Sequence, residues 1–69
     1  MKIVFTEDTM SDYHLNCEKE LAWRVSNFSD RKQEITISAI SEDRPYIRHF
    51  YASNFRNLIR EGIIKIVKE

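Results

Sequence analysis

His14 and Cys17 stand three residues apart, a spacing at which an imidazole and a thiol can share a metal or thiol site. Zinc asks for four N/S ligands, or three and a water. The only other imidazole is His49, and the chain holds no second cysteine. A Cys-His nucleophile needs contact between the two groups and a third group to orient the base. If residues 13–17 are extended, positions 14 and 17 differ in parity and point to opposite faces. The pair therefore reads as a core cysteine and a surface histidine.

The carboxylates do no better. Glu7 and Asp8 are adjacent, and Glu18 and Glu20 flank Lys19. Acid–base chemistry on a pair of acids needs them across a cleft, one with its pKa raised by burial. A 69-residue chain has little depth for such a cleft. Gly62 stands alone, so no glycine-rich phosphate loop exists. The expectation is a protein that is not an enzyme, with no catalytic residue, metal or cofactor.

Binding chemistry is better represented. Residues 44–60 hold Arg44, Tyr46, Arg48, Phe50, Arg56 and Arg60. If 46–51 is a strand, Tyr46, Arg48 and Phe50 share one face, and Ile47, His49 and Tyr51 share the other. Rings interleaved with arginine are what single-strand nucleic-acid platforms use, the rings stacking on bases and the guanidinium meeting phosphate. The competing demand is the core, which must take one of those two faces. Arg56 and Arg60 are four apart and lie together on one side of a helix. Trp23 is an interface anchor if exposed and a core residue if it follows Leu21 and Val25.

These residues sit in a chain whose charges are segregated although they cancel. Lys+Arg and Asp+Glu both count 11. Residues 7–20 carry five acids against Lys19, and residues 44–68 carry six bases against Glu61. Such polarity can present a positive surface to an acidic or anionic partner. A pI of about 6.7 argues against an indiscriminate nucleic-acid binder. A composition of 42% hydrophobic and 12% aromatic residues is that of a folded chain. Ile3-Val4-Phe5 is too short for a signal peptide, and no apolar run approaches a membrane span. One unpaired cysteine fits a reducing compartment, so the expected location is cytoplasmic. A small chain with neither disulfide nor metal is a candidate for oligomerisation.

The elements that position these groups follow from hydrophobic spacing. Lys2 to Thr6 reads as a strand, and 7–12 as a polar turn region. Over 13–25 the odd positions Tyr13, Leu15, Cys17, Leu21, Trp23 and Val25 alternate with polar ones, broken only at Lys19 and Ala22, which favours strands. The rival is a helix from Ser11, with Met10, Tyr13, Cys17, Leu21, Val25 and Phe28 spaced near four, which leaves Leu15 and Trp23 off its stripe. Asn27 to Lys32 reads as a polar loop, and Glu34 to Ser41 as a β-branched strand. A turn at 42–45 leads to an antiparallel strand over 46–51. Ser53 is the expected N-cap of a helix with Phe55, Leu58 and Ile59 on its apolar stripe. The helix either stops at Glu61 with Gly62 as C′, leaving a strand over 63–67, or continues to Lys68; the β-branched cluster favours the strand.

Together these predict a single α+β domain over 1–69: a mostly antiparallel sheet packed against one helix in the C-terminal third. The expected core is Ile3, Phe5, Leu15, Leu21, Trp23, Val25, Ile35, Ile37, Phe55, Leu58, Ile59 and Ile63. The expected function is a small protein-interaction module, regulatory or inhibitory, that meets a protein partner or a second copy of itself. The alternative is a nucleic-acid binder using Arg44, Tyr46, Arg48, Phe50, Arg56 and Arg60.

Overall fold

The computed structural model describes residues 1–12, 14–26, 33–40 and 46–67. Among these residues seven strands and one helix follow in the order β1 (Lys2–Phe5), β2 (Thr9–Met10), β3 (Asn16–Cys17), β4 (Ala22–Val25), β5 (Glu34–Ala39), β6 (Ile47–Tyr51), α1 (Ala52–Arg60) and β7 (Ile64–Val67). Five strands form one sheet in the order β6-β5-β4-β1-β7, every neighbouring pair antiparallel. β2 and β3 pair as a separate two-stranded arm. This is a small α+β domain. The expected loop at 27–32 and turn at 42–45 lie outside the described residues.

Residues paired across an antiparallel ladder project to the same face. Ile3 pairs with Trp23, Phe5 with Ile64, Val25 with Ile37, and Ile35 with Phe50. That face carries the core: Ile3, Phe5, Trp23, Val25, Ile35, Ile37, Phe50 and Ile64 are all buried. Phe5 stacks on Phe50 at 6.0 Å, Phe50 meets Phe55 edge-on at 5.7 Å, and Phe5 meets Trp23 edge-on at 6.4 Å. Offset and edge-on arrangements of this kind add about 0.5–1.5 kcal/mol per pair beyond area burial. The opposite face, with Lys2, Arg24, Thr36, His49 and Lys65, has no layer upon it among the described residues.

α1 leaves β6 at one edge of the sheet and delivers the chain to β7 at the other, so it crosses the core face. Phe55 is its fully buried contact, with Leu58 and Ile59 packed beside it. The helix begins one residue before the expected cap. Tyr51 is the N-cap, and Ser53 lies inside the first turn. Tyr51 makes no side-chain cap bond, and the N-cap is fixed instead by a carboxylate from elsewhere in the chain. The Asp12 carboxylate accepts the Tyr51 N–H at 2.8 Å and the Asn54 side-chain amide at 3.0 Å. A carboxylate there also faces the positive end of the helix dipole.

The C-terminus follows the shorter reading. Gly62 adopts φ +80, its N–H donates to Ile59 O, and Ile63 N–H donates to Leu58 O. That is a Schellman motif, and β7 follows at once. Within 13–25 the strand reading holds at 16–17 and 22–25, Tyr13 lying outside the described residues, but with a consequence the alternation does not contain. β3 does not join the main sheet. It folds back on β2, from a stretch expected to be turn, and the arm lies over the core face with Cys17 buried beneath it. Leu15 is therefore not core. It sits at the arm's connection, 46% exposed. Cys17, Phe50 and Ile64 occupy the core instead, and Leu21, Leu58, Ile59 and Ile63 pack around its margin.

A candidate binding pocket around Arg48

The helix covers one part of the core face and the β2–β3 arm another. Beside the arm lies an open pocket of about 390 Å³, lined by Asn16, Glu18, Leu21, Trp23, Tyr46 and Arg48. Its floor is set by sheet register. Trp23 of β4 pairs with Ala39 of β5, and Ala39 N–H donates to Tyr46 O across the next strand. Trp23 and Tyr46 thus stand two strands apart on one row, separated by a methyl group. Arg48, one position further along that face, pairs with Ile37.

Space over Ala39 is taken by the guanidinium. Arg48 Cζ lies 5.6 Å from the Trp23 ring centroid and 5.5 Å from that of Tyr46. Its Nε donates to Asn16 O at 2.8 Å and its Nη1 to Ile47 O at 3.0 Å. Two aromatic contacts and two main-chain carbonyls hold a long side chain whose freedom would otherwise have to be lost on binding. The guanidinium fork has five N–H groups, and those two bonds leave others for an acceptor.

Supporting contacts fix the wall that carries Asn16 and Glu18. Ser11 N–H donates to Leu15 O, Leu15 N–H to the Ser11 hydroxyl, and His14 N–H to Ser11 O. His14 itself sits at φ 62, a left-handed position. The Asp8 carboxylate accepts Lys19 N–H at 2.8 Å, and Glu20 N–H donates to Phe5 O. Trp23 is almost wholly buried, and its indole N–H has no acceptor among the described residues.

The six expected binding residues separate. Tyr46 and Arg48 come together in the pocket. Phe50, on the same strand face, lies at the centre of the aromatic core and has no surface to offer. Arg56 and Arg60 are exposed on α1. Arg44 lies outside the described residues. The lining residues not expected from spacing are Asn16, Glu18 and Leu21. Period two places each on a face, but nothing local says that 16–18 fold over residue 48. The readable hint is Ala39, the small residue on a strand face otherwise carrying Ile35 and Ile37.

No family model, curated protein or solved structure matches this chain. Its chemistry is therefore read from its own groups. Cys17 is fully buried, and desolvation pushes its thiol from about 9.0 up to about 12, against a smaller lowering by Arg48. It is a packed thiol held in its neutral form. Among the described residues no group of three His, Cys, Asp or Glu side chains is placed to hold a metal ion. No helix among them is long and apolar enough to cross a membrane.

Proposed function

We propose that this chain is a small non-enzymatic protein-interaction module, regulatory or inhibitory, that grips its partner at the Arg48 pocket. The observation that supports the reading is the guanidinium held between the rings of Trp23 and Tyr46 and two main-chain carbonyls. Trp, Tyr and Arg dominate interface hot spots, and a preorganised arginine loses less entropy on binding. The partner supplies a carboxylate to Arg48 and an apolar side chain against Tyr46 and Leu21. Glu18 on the same lining favours a partner group with a hydrogen-bond donor beside that carboxylate. We place this activity in the cytoplasm, because a single unpaired cysteine suits a reducing compartment.

Trp23 is the only tryptophan, so its emission reports on the pocket. Titration with a blocked tetrapeptide carrying glutamate beside phenylalanine should change that emission saturably. Arg48→Gln should weaken the binding at least tenfold, as loss of a charge-assisted contact predicts. An unchanged response in Arg48→Gln would remove the pocket from the proposal.

One observation favours the nucleic-acid reading: Tyr46 is 45% exposed beside Arg48, as a stacking platform requires. Two weigh against it. Phe50 is in the core and Tyr51 projects from the opposite face, so no run of rings exists on β6. Glu18 would also repel phosphate. Oligonucleotide binding that weakens steeply with salt and is lost in Arg48→Gln would reverse that preference.

A further inference from the structure

We infer that the outer edge of β7 is a strand-addition site for an extended peptide alternating acidic and apolar residues. The site lies at the end of the sheet away from β6, and the inference does not rest on the Arg48 pocket.

The phase of the ladder decides which groups face outward. Thr6 N–H donates to Ile63 O, so 63, 65 and 67 turn their main chain toward β1. Ile64 and Ile66 then turn theirs outward, and no described residue takes those groups. The other edge of the sheet is treated differently. On β6 the outward Tyr51 N–H is taken by Asp12, and the outward Ile47 O by Arg48. Among the described residues, side chains obstruct the β6 edge and none obstructs that of β7. Open edges accept further strands through their main-chain groups.

Side chains choose the occupant. Ile66 is 56% exposed on the core side of β7 and offers an apolar contact. On the other side Lys65 is exposed, and Lys2 is its diagonal neighbour across β1. Arg24 pairs directly with Lys2. The outward residues of β1, β4 and β7 on this face include no acid. An added strand therefore gains by placing carboxylates beside Lys65 and Lys2 and apolar groups beside Ile66. A two-fold antiparallel pairing of β7 with a second copy would instead bring both cation sets onto one continuous face, which like charges disfavour.

The test uses the full chain and three blocked eight-residue peptides: alternating Glu and Val, alternating Lys and Val, and four Glu followed by four Val. Amide exchange and chemical shifts of the labelled protein are followed. The alternating Glu/Val peptide should bind saturably and slow exchange at Ile64 and Ile66 at least tenfold. The other two peptides should not. Ile66→Pro removes an outward N–H and leaves the β1 ladder whole, so it should keep the fold and lose the binding. Lys65→Glu, which changes no main-chain group, should shift preference to the Lys/Val peptide. Binding of the block peptide equal to that of the alternating one, or exchange unchanged at Ile64 and Ile66, would overturn the inference. So would protection of those amides without peptide in a particle of twice 8.3 kDa, which would make the occupant a second copy.

Discussion

Arg48 was legible in the sequence as a binding candidate, but its setting was not. Spacing places it on a face with Tyr46 and Phe50. Burial then separates the three, because Phe50 packs into the aromatic core against Phe5 and Phe55 while Tyr46 stays exposed. Trp23, 25 residues earlier in the chain, becomes its neighbour only through β4–β5–β6 pairing. Cys17 shows a residue whose environment reverses its apparent chemistry. Its thiol is neutral in the folded chain until about pH 12, while in the unfolded chain it ionises near 9. A raised folded pKa gives stability that is complete below pH 9 and lost as pH rises from there toward 12. Urea midpoints of wild type and Cys17→Ala should therefore converge as pH rises above 9; a constant gap would show that the thiol is not desolvated. Native Cys17 should also react with iodoacetamide at least a hundredfold more slowly than an exposed thiol, at a rate that tracks opening. At His14 the left-handed φ costs an L side chain about 1 kcal/mol, so His14→Gly should raise stability by roughly 0.5–1 kcal/mol in urea unfolding.

At the scale of elements, the strands with strict alternation and the helix stop were readable, because each rests on local chemistry. Ile35, Ile37 and Ala39 share a face as their spacing requires, and Gly62 ends the helix at the position where φ is +80. A Cβ at Gly62 would meet nothing within 4 Å, so Gly62→Ala isolates the backbone term. It should destabilise the chain by about 1–2 kcal/mol without disturbing the core. What escaped was the helix start and the arm. Ser53 is a good N-cap by type, but the N-cap is Tyr51, whose N–H is held by Asp12, 39 residues earlier. No local pattern announces a contact of that range. Asp12→Ala should cost about 1–2 kcal/mol and fray the first turn of α1, seen as faster amide exchange at Tyr51. Ser53→Ala should change stability by less than half a kcal/mol, the opposite ranking from the one residue type suggests.

For the molecule as a whole, the fold is held by one aromatic-aliphatic cluster on one face of a five-stranded sheet, closed by a helix and a short arm. Its Cα radius of gyration is 10.9 Å, against about 11 Å expected for a compact chain of this length. A chain so small has a total stability of about 4–10 kcal/mol. Phe50→Ala should cost about 3–5 kcal/mol and leave much of the protein unfolded at physiological temperature. Charge segregation along the chain turns out to describe surfaces only loosely. Lys2 and Arg24 join Lys65 on the open face although they lie far from the basic C-terminal half. The measurement that tests the central claim most directly is chemical-shift mapping of the labelled chain with the glutamate–phenylalanine peptide and, separately, with single-stranded oligothymidylate at low salt. The proposed Arg48 pocket should give saturable shifts with the peptide centred on Asn16, Glu18, the Trp23 indole, Tyr46 and Arg48, and none with the oligonucleotide. Oligonucleotide shifts centred on Lys2, Arg24 and Lys65, with the pocket silent to the peptide, would contradict it.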